Sequence, residues 1–93
     1  MPYIKQDKRD ILDPVIKPIL NALRELECDD DSNNMEGNIN YIFTKILVSV
    51  YPGDRYHEVN DAMGILSSCQ AEYYRKRGAK LEDQKEFENG SVD

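Results

Sequence analysis

Ile39, Ile42, Phe43, Ile46, Leu47 and Val50 recur at steps of three and four residues, between Gly37-Asn38 and Pro52-Gly53-Asp54. That spacing lines them along one face of an α-helix. Tyr41, Val48 and Tyr51 fall off the stripe, so this helix is apolar over much of its circumference. A helix of that kind lies at the centre of a fold or is covered on two sides by an oligomer. Ninety-three residues make one domain, spanning 1–93, with no room for a second core. A chain this short buries a modest fraction of its own surface, which makes self-association a reasonable expectation.

The remaining patterns are also helical. Val15, Ile16, Ile19, Leu20, Leu23 and Leu26 form a stripe in a first helix that opens at Gln6 or Asp7. Asp13-Pro14 reads as a second start signal inside it, and Pro18 has no N–H to donate, so a kink is expected between Asp13 and Pro18. Glu27 to Gly37 is acidic, rich in Asp and Asn, and reads as a loop, with Gly37-Asn38 opening the second helix. A third helix begins near Asp54 or Arg55, with Tyr56, Val59, Met63, Leu66, Cys69 or Gln70, and Tyr73 on one face. Gly78 is its weak point, costing about 1 kcal/mol relative to Ala in a helix interior. Either the helix bends there or it runs on to Glu88, where Asn89-Gly90 is a good stop. β-branched residues make a strand a rival only for the second helix. The expected fold is all-α: three to four helices, a kinked first helix and a long C-terminal helix, assembled as a helical homo-oligomer.

Charge narrows the function classes. A net charge of −6 argues against a general DNA or RNA binder, which presents a basic field to phosphates. It leaves room for a small nucleotide in a local basic pocket. Cys28 and Cys69 show no metal-ligand spacing and read as free thiols in a reducing compartment. The start, Met1-Pro2-Tyr3-Ile4-Lys5, lacks the apolar run of a signal peptide. The longest apolar stretch, Ile46 to Tyr51, falls far short of the roughly 20 residues that cross a bilayer. A cytoplasmic protein with no membrane contact is expected.

Catalytic and metal constellations find little support. In the acidic segment Asp29 to Gly37, the Gly and the terminal Glu miss the positions of a calcium-binding loop, so a solvated loop is the better reading. His57, the single histidine, has no identifiable nucleophile or orienting partner. Ser67-Ser68 lacks the Gly-x-Ser-x-Gly context. Neither an enzyme nor a resident metal or cofactor is expected.

Two clusters carry recognition chemistry instead. Asn40, Tyr41, Thr44 and Lys45 interleave with the second helix's apolar stripe, and Asn40 and Thr44 are one turn apart. Asn offers donor and acceptor to a base edge, Thr a hydroxyl, and Lys a charge for phosphate. The plain alternative is that Asn38 caps the helix, Thr44 bonds its own backbone, and Lys45 is solvated. Tyr73 and Tyr74 precede three consecutive cations, Arg75, Lys76 and Arg77. Tyrosine rings stack on bases and Arg forks onto phosphate oxygens. The alternative here is that Tyr73 ends the core stripe while the cations pair with Glu72, Glu82 and Asp83 along the helix.

Three blocks together resemble a known family: Met1 to Lys5, Gly37 to Lys45, and Glu72 to Arg77 followed by Glu82 to Gly90. It is a family of short proteins from tailed phages, prophages and some bacteria and archaea, carried as of unknown function, and the resemblance spans nearly the whole chain. Members commonly read Pro-Tyr-Glu-Asp where this chain has Lys80-Leu81-Glu82-Asp83, and Asn-Gly-Asp-Val-Tyr where it has Asn89-Gly90-Ser91-Val92-Asp93. In size and residues the chain also looks like the phage immune-evasion sponges of the anti-CBASS type. That likeness implies a homo-oligomer that sequesters a cyclic dinucleotide or related nucleotide without hydrolysing it. The ligand groups would be Asn40, Tyr41, Thr44 and Lys45 with Tyr74, Arg75 and Arg77, from facing helices of neighbouring subunits. A two-fold interface supplies each group twice, matching such a ligand's own near-symmetry. The alternative function is a small helical protein–protein interaction module of phage or prophage origin, contacting its partner through the acidic segment Glu82 to Glu88.

Overall fold

A computed structural model describes residues 2–29 and 34–93. The fold is all-α: α1 spans Gln6–Asp29, α2 Met35–Val50, α3 Tyr56–Tyr73 and α4 Ala79–Asn89, with no strand among the described residues. A π-helical turn, Tyr74–Gly78, joins α3 to α4 without a break, so the two form one rod.

Local chemistry accounts for the boundaries. Lys8 and Arg9 donate backbone N–H groups to the Lys5 carbonyl, opening α1. Arg9 Nε then donates to the Ile4 carbonyl at 2.9 Å, pinning the segment before the helix. Asp7 sits in the first turn, where the helix dipole favours an acid. Both Pro14 and Pro18 lie inside α1, which is helical throughout. Each proline leaves one carbonyl, those of Asp10 and Pro14, without a helical donor.

The loop between the first two helices is shorter than its composition implies. α1 runs on to Asp29, and α2 opens at Met35 rather than at Gly37-Asn38. The reason is the cap: Asn34, not Asn38, accepts the Gly37 N–H on its side-chain oxygen at 3.1 Å. Residues 30–33 of the acidic segment weighed as a calcium loop lie outside the described residues.

α3 is stapled at its start by Glu58, whose carboxylate accepts the Gly53 N–H at 2.9 Å and the Asp54 N–H at 3.1 Å. Two otherwise orphaned donors ahead of the helix are thereby satisfied. At the far end Gly90 adopts φ 92°, a conformation that favours glycine, and its N–H closes on the Glu86 carbonyl. Asn89-Gly90 is therefore the stop its sequence suggests.

α1 and α2 lie against each other. Their least exposed apolar residues are Ile19 and Leu23 of α1 and Ile39, Ile42 and Leu47 of α2. No hydrophobic side chain among the described residues is fully buried. The radius of gyration is 17.2 Å, against about 12 Å for a compact domain of this length. A single copy is an open framework.

Candidate functional site

The larger concavity is a broad cleft of about 880 Å³ along one face of α3 and the π turn. Asn60, Asp61, Gly64, Ser68 and Glu72 supply its floor at helical spacing. Gly64 keeps that floor low, because nothing lies within 4 Å of where its Cβ would stand. Tyr51, from the end of α2, and Pro2 form the rim, and Tyr73, Lys76 and Arg77 close one end.

The π turn sets how the cations are presented. Its i→i+5 geometry is wider than an α-turn and rotates the following residues about the axis. Arg75 turns to the N-terminal segment: its Nη2 donates to Glu72 Oε1 at 2.7 Å and to the Tyr3 hydroxyl at 2.5 Å. The Tyr3 hydroxyl itself donates to Glu72. The Arg75 guanidinium carbon and Lys76 Nζ stand 5.9 Å and 5.7 Å from the Tyr3 ring centroid, within cation–π range. Residues 2–5 thus strap the start of the chain onto the π turn.

These contacts shift two ionisations. The Arg75 hydrogen bond, then that from Tyr3, holds the Glu72 carboxyl below the usual carboxylate range. The same Glu72 contact raises Arg75 further above its already high value. Tyr74 donates to Glu82 Oε2 at 2.5 Å, and that hydrogen bond pushes its phenol above the ordinary tyrosine value.

Lys76 and Arg77 differ from Arg75. Arg77 donates only to the Lys76 carbonyl, and neither cation has an ion-pair partner among the described residues. Two unneutralised cations therefore share the cleft with the rings of Tyr51 and Tyr73 and the amide of Asn60. Asp61 and Glu72 line the same space and repel an anion from part of it.

The residues singled out from the sequence, Lys45 apart, fall into three places. Asn40, Tyr41 and Thr44 line a shallower depression of about 520 Å³ at the start of α2. There Thr44 Oγ1 donates to Asn40 Oδ1 at 3.1 Å rather than to its own backbone. Arg77 lines the large cleft, whereas Tyr74 and Arg75 are engaged within the π turn. Lys45 lines neither concavity. Within one copy, then, the α2 group and Arg77 belong to separate surfaces.

Asn60, Asp61 and Gly64 carried no expectation, since they lie off the apolar stripe of the third helix, and Ser68 was weighed only as a nucleophile. Their own recurrence at three and four residues was the available signal. Tyr73 joins the cleft at 70% exposure rather than finishing a core stripe. His57, Cys28 and Cys69 are all exposed, and both thiols are free. Among the described residues no three His, Cys, Asp or Glu side chains converge, and no helix is long and apolar enough to cross a membrane.

No curated protein and no solved structure matches the chain. A family model does, over residues 1–92. The chain belongs to the family described as a domain of unknown function, DUF6899.

Proposed function

We propose that this protein captures a cyclic oligonucleotide signal, a cyclic dinucleotide or close relative, and holds it without hydrolysing it. The observation that carries the reading is the meeting of Lys76, Arg77, Tyr51, Tyr73 and Asn60 around one cleft. Such a ligand presents phosphates, bases and base edges, which call for cations, aromatic faces and amides respectively. The cleft's 880 Å³ falls within the roughly 300–1,000 Å³ usual for small-molecule sites. Arg77 binds phosphate directly, and Arg75 and Tyr74 complete the wall of the π turn. Asn40, Tyr41, Thr44 and Lys45 reach the ligand from α2 of a neighbouring copy. In biological terms this is an immune-evasion sponge of phage type, working in the host cytoplasm.

Native mass spectrometry with a panel of cyclic di- and trinucleotides, followed by release of the ligand, tests this. One nucleotide is taken up selectively and recovered intact. Arg77→Ala and Lys76→Ala each weaken uptake more than about tenfold, as loss of a charge-assisted hydrogen bond implies. Indifference to the whole panel, or hydrolysed product, overturns the reading.

One observation favours the protein-docking alternative. α4 is exposed along nearly its whole length, and Phe87, set among acidic residues, is 92% exposed. An acidic helix bearing a bare aromatic is a plausible anchor for a basic partner groove. A nanomolar complex with a partner protein that Phe87→Ala abolishes, with no nucleotide preference, supports that alternative.

A further inference from the structure

We propose that copies of this chain associate through the apolar faces of α1 and α2, and that this contact completes a core which one copy lacks. The occupant of those faces is a second copy of the same chain. No nucleotide enters the argument, so association is tested without ligand, although the α2 part of the proposed capture site depends on it.

The first support is the surface area. A folded monomer of 10.8 kDa exposes about 5,500 Å² by the usual scaling of surface with mass. This chain exposes 8379 Å². The surplus, roughly 2,900 Å², is several times the ~800 Å² that each partner hides in a standard protein–protein contact, and it matches obligate assemblies. Exposure on that scale by a helical chain with no buried hydrophobic residue among the described ones describes one part of a shared core.

The second support is where the surplus lies. Ile11, Leu12, Val15 and Ile16 on α1 are each between 47% and 70% exposed. On α2, Ile46 and Val50 are 50% and 62% exposed. These residues continue, at helical spacing, the stripes of Ile19 and Leu23 on α1 and Ile42 on α2, which are half-buried in two helices that touch. The unpartnered surface is thus one extension of an existing contact.

Charge explains why like can meet like. The chain carries −6 overall, yet Glu36 and Lys45 are the only charged residues in α2. Two copies of a face so nearly neutral meet without the repulsion that the acidic remainder would impose. A further copy is also the one partner present in stoichiometric amount whenever a chain without its own core must fold.

The experiment combines molecular mass by light scattering with thermal melts over a dilution series, in the absence of nucleotide. A mass that is a multiple of 10.8 kDa is expected. For a dimer, the melting temperature falls by about 5–10 °C per hundredfold dilution. Val15→Glu and Ile46→Glu are the informative variants. At 58% and 50% exposure a charge there costs an isolated chain little, whereas it costs a buried contact heavily. Each is expected to lower the melting temperature by more than 10 °C or to yield monomer. Phe87→Ser, on α4, leaves mass and melting unchanged. A 10.8 kDa species with a cooperative, concentration-independent melt overturns the proposal. So does an assembly indifferent to both Glu substitutions; where a Glu variant fails to fold, the mass and dilution series of the unsubstituted chain decide the proposal.

Discussion

A Cβ on Gly78 would stand 2.7 Å from Cδ2 of Tyr74, whose ring crosses the π turn to reach Glu82. Glycine is therefore required at this point by a neighbouring side chain, since the backbone there is ordinary helix. Replacing a helix-interior Gly by Ala normally gains about 1 kcal/mol. With Tyr74 present, Gly78→Ala should forfeit that gain by displacing the ring and breaking its hydrogen bond. On a Tyr74→Ala background the gain should return. A double-mutant cycle by denaturant unfolding checks this, and additivity of the two substitutions would show that ring and glycine do not interact. The sequence marked Gly78 as a weak point, but a one-letter code holds no distance between a ring and a missing methyl.

Two elements store local tension or local order that can be released separately. In the N-terminal strap, Glu72 is held ionised by Arg75 and Tyr3. A carboxyl whose folded pKa is depressed contributes stability that is present above its unfolded value and lost as pH falls through the lowered one. The strap should therefore persist at neutral pH and release only in acid below the ordinary Glu range, near 4. Amide exchange or tyrosine spectroscopy of residues 2–5 across an acid titration reads the step, and Glu72→Gln should remove its pH dependence. In α1, Pro18 denies Pro14 a hydrogen bond in mid-helix, where proline costs about 3 kcal/mol relative to Ala. Pro18→Ala should stabilise the helix by a sizeable part of that amount, measured as a rise in melting temperature. A drop would mean that the folded protein uses the local loss of the hydrogen bond. Helix identity, the Asn-Gly stop and the persistence of the third helix were legible in the sequence because period and breakers act locally. The Asn34 cap was not, since Asn34 and Asn38 offer the same chemistry and the way the chain enters the helix selects between them.

At the level of the whole molecule, one copy places the residues proposed to bind ligand on two surfaces and its apolar residues half in the open. Arg77 shares the large cleft with Tyr51 and Tyr73, while Asn40, Tyr41 and Thr44 lie in a separate depression. The dilution series reports whether this openness is filled by further copies, as its area implies. Composition, period and charge by themselves determined an all-α chain, a second helix apolar over much of its circumference, and a cationic, tyrosine-bearing segment in an acidic background. Those properties depend on neighbours in sequence, within a turn or two. The local Arg75–Glu72 pair was among the readings open to the sequence, whereas only the tertiary structure decided that Tyr3 joins it and that Lys76 and Arg77 have no ion-pair partner among the described residues. Residues 3 and 72 meet because a helical rod and a returning chain end cross, and the π turn leaves Arg75 on Tyr3 and Glu72 while Lys76 and Arg77 line the cleft.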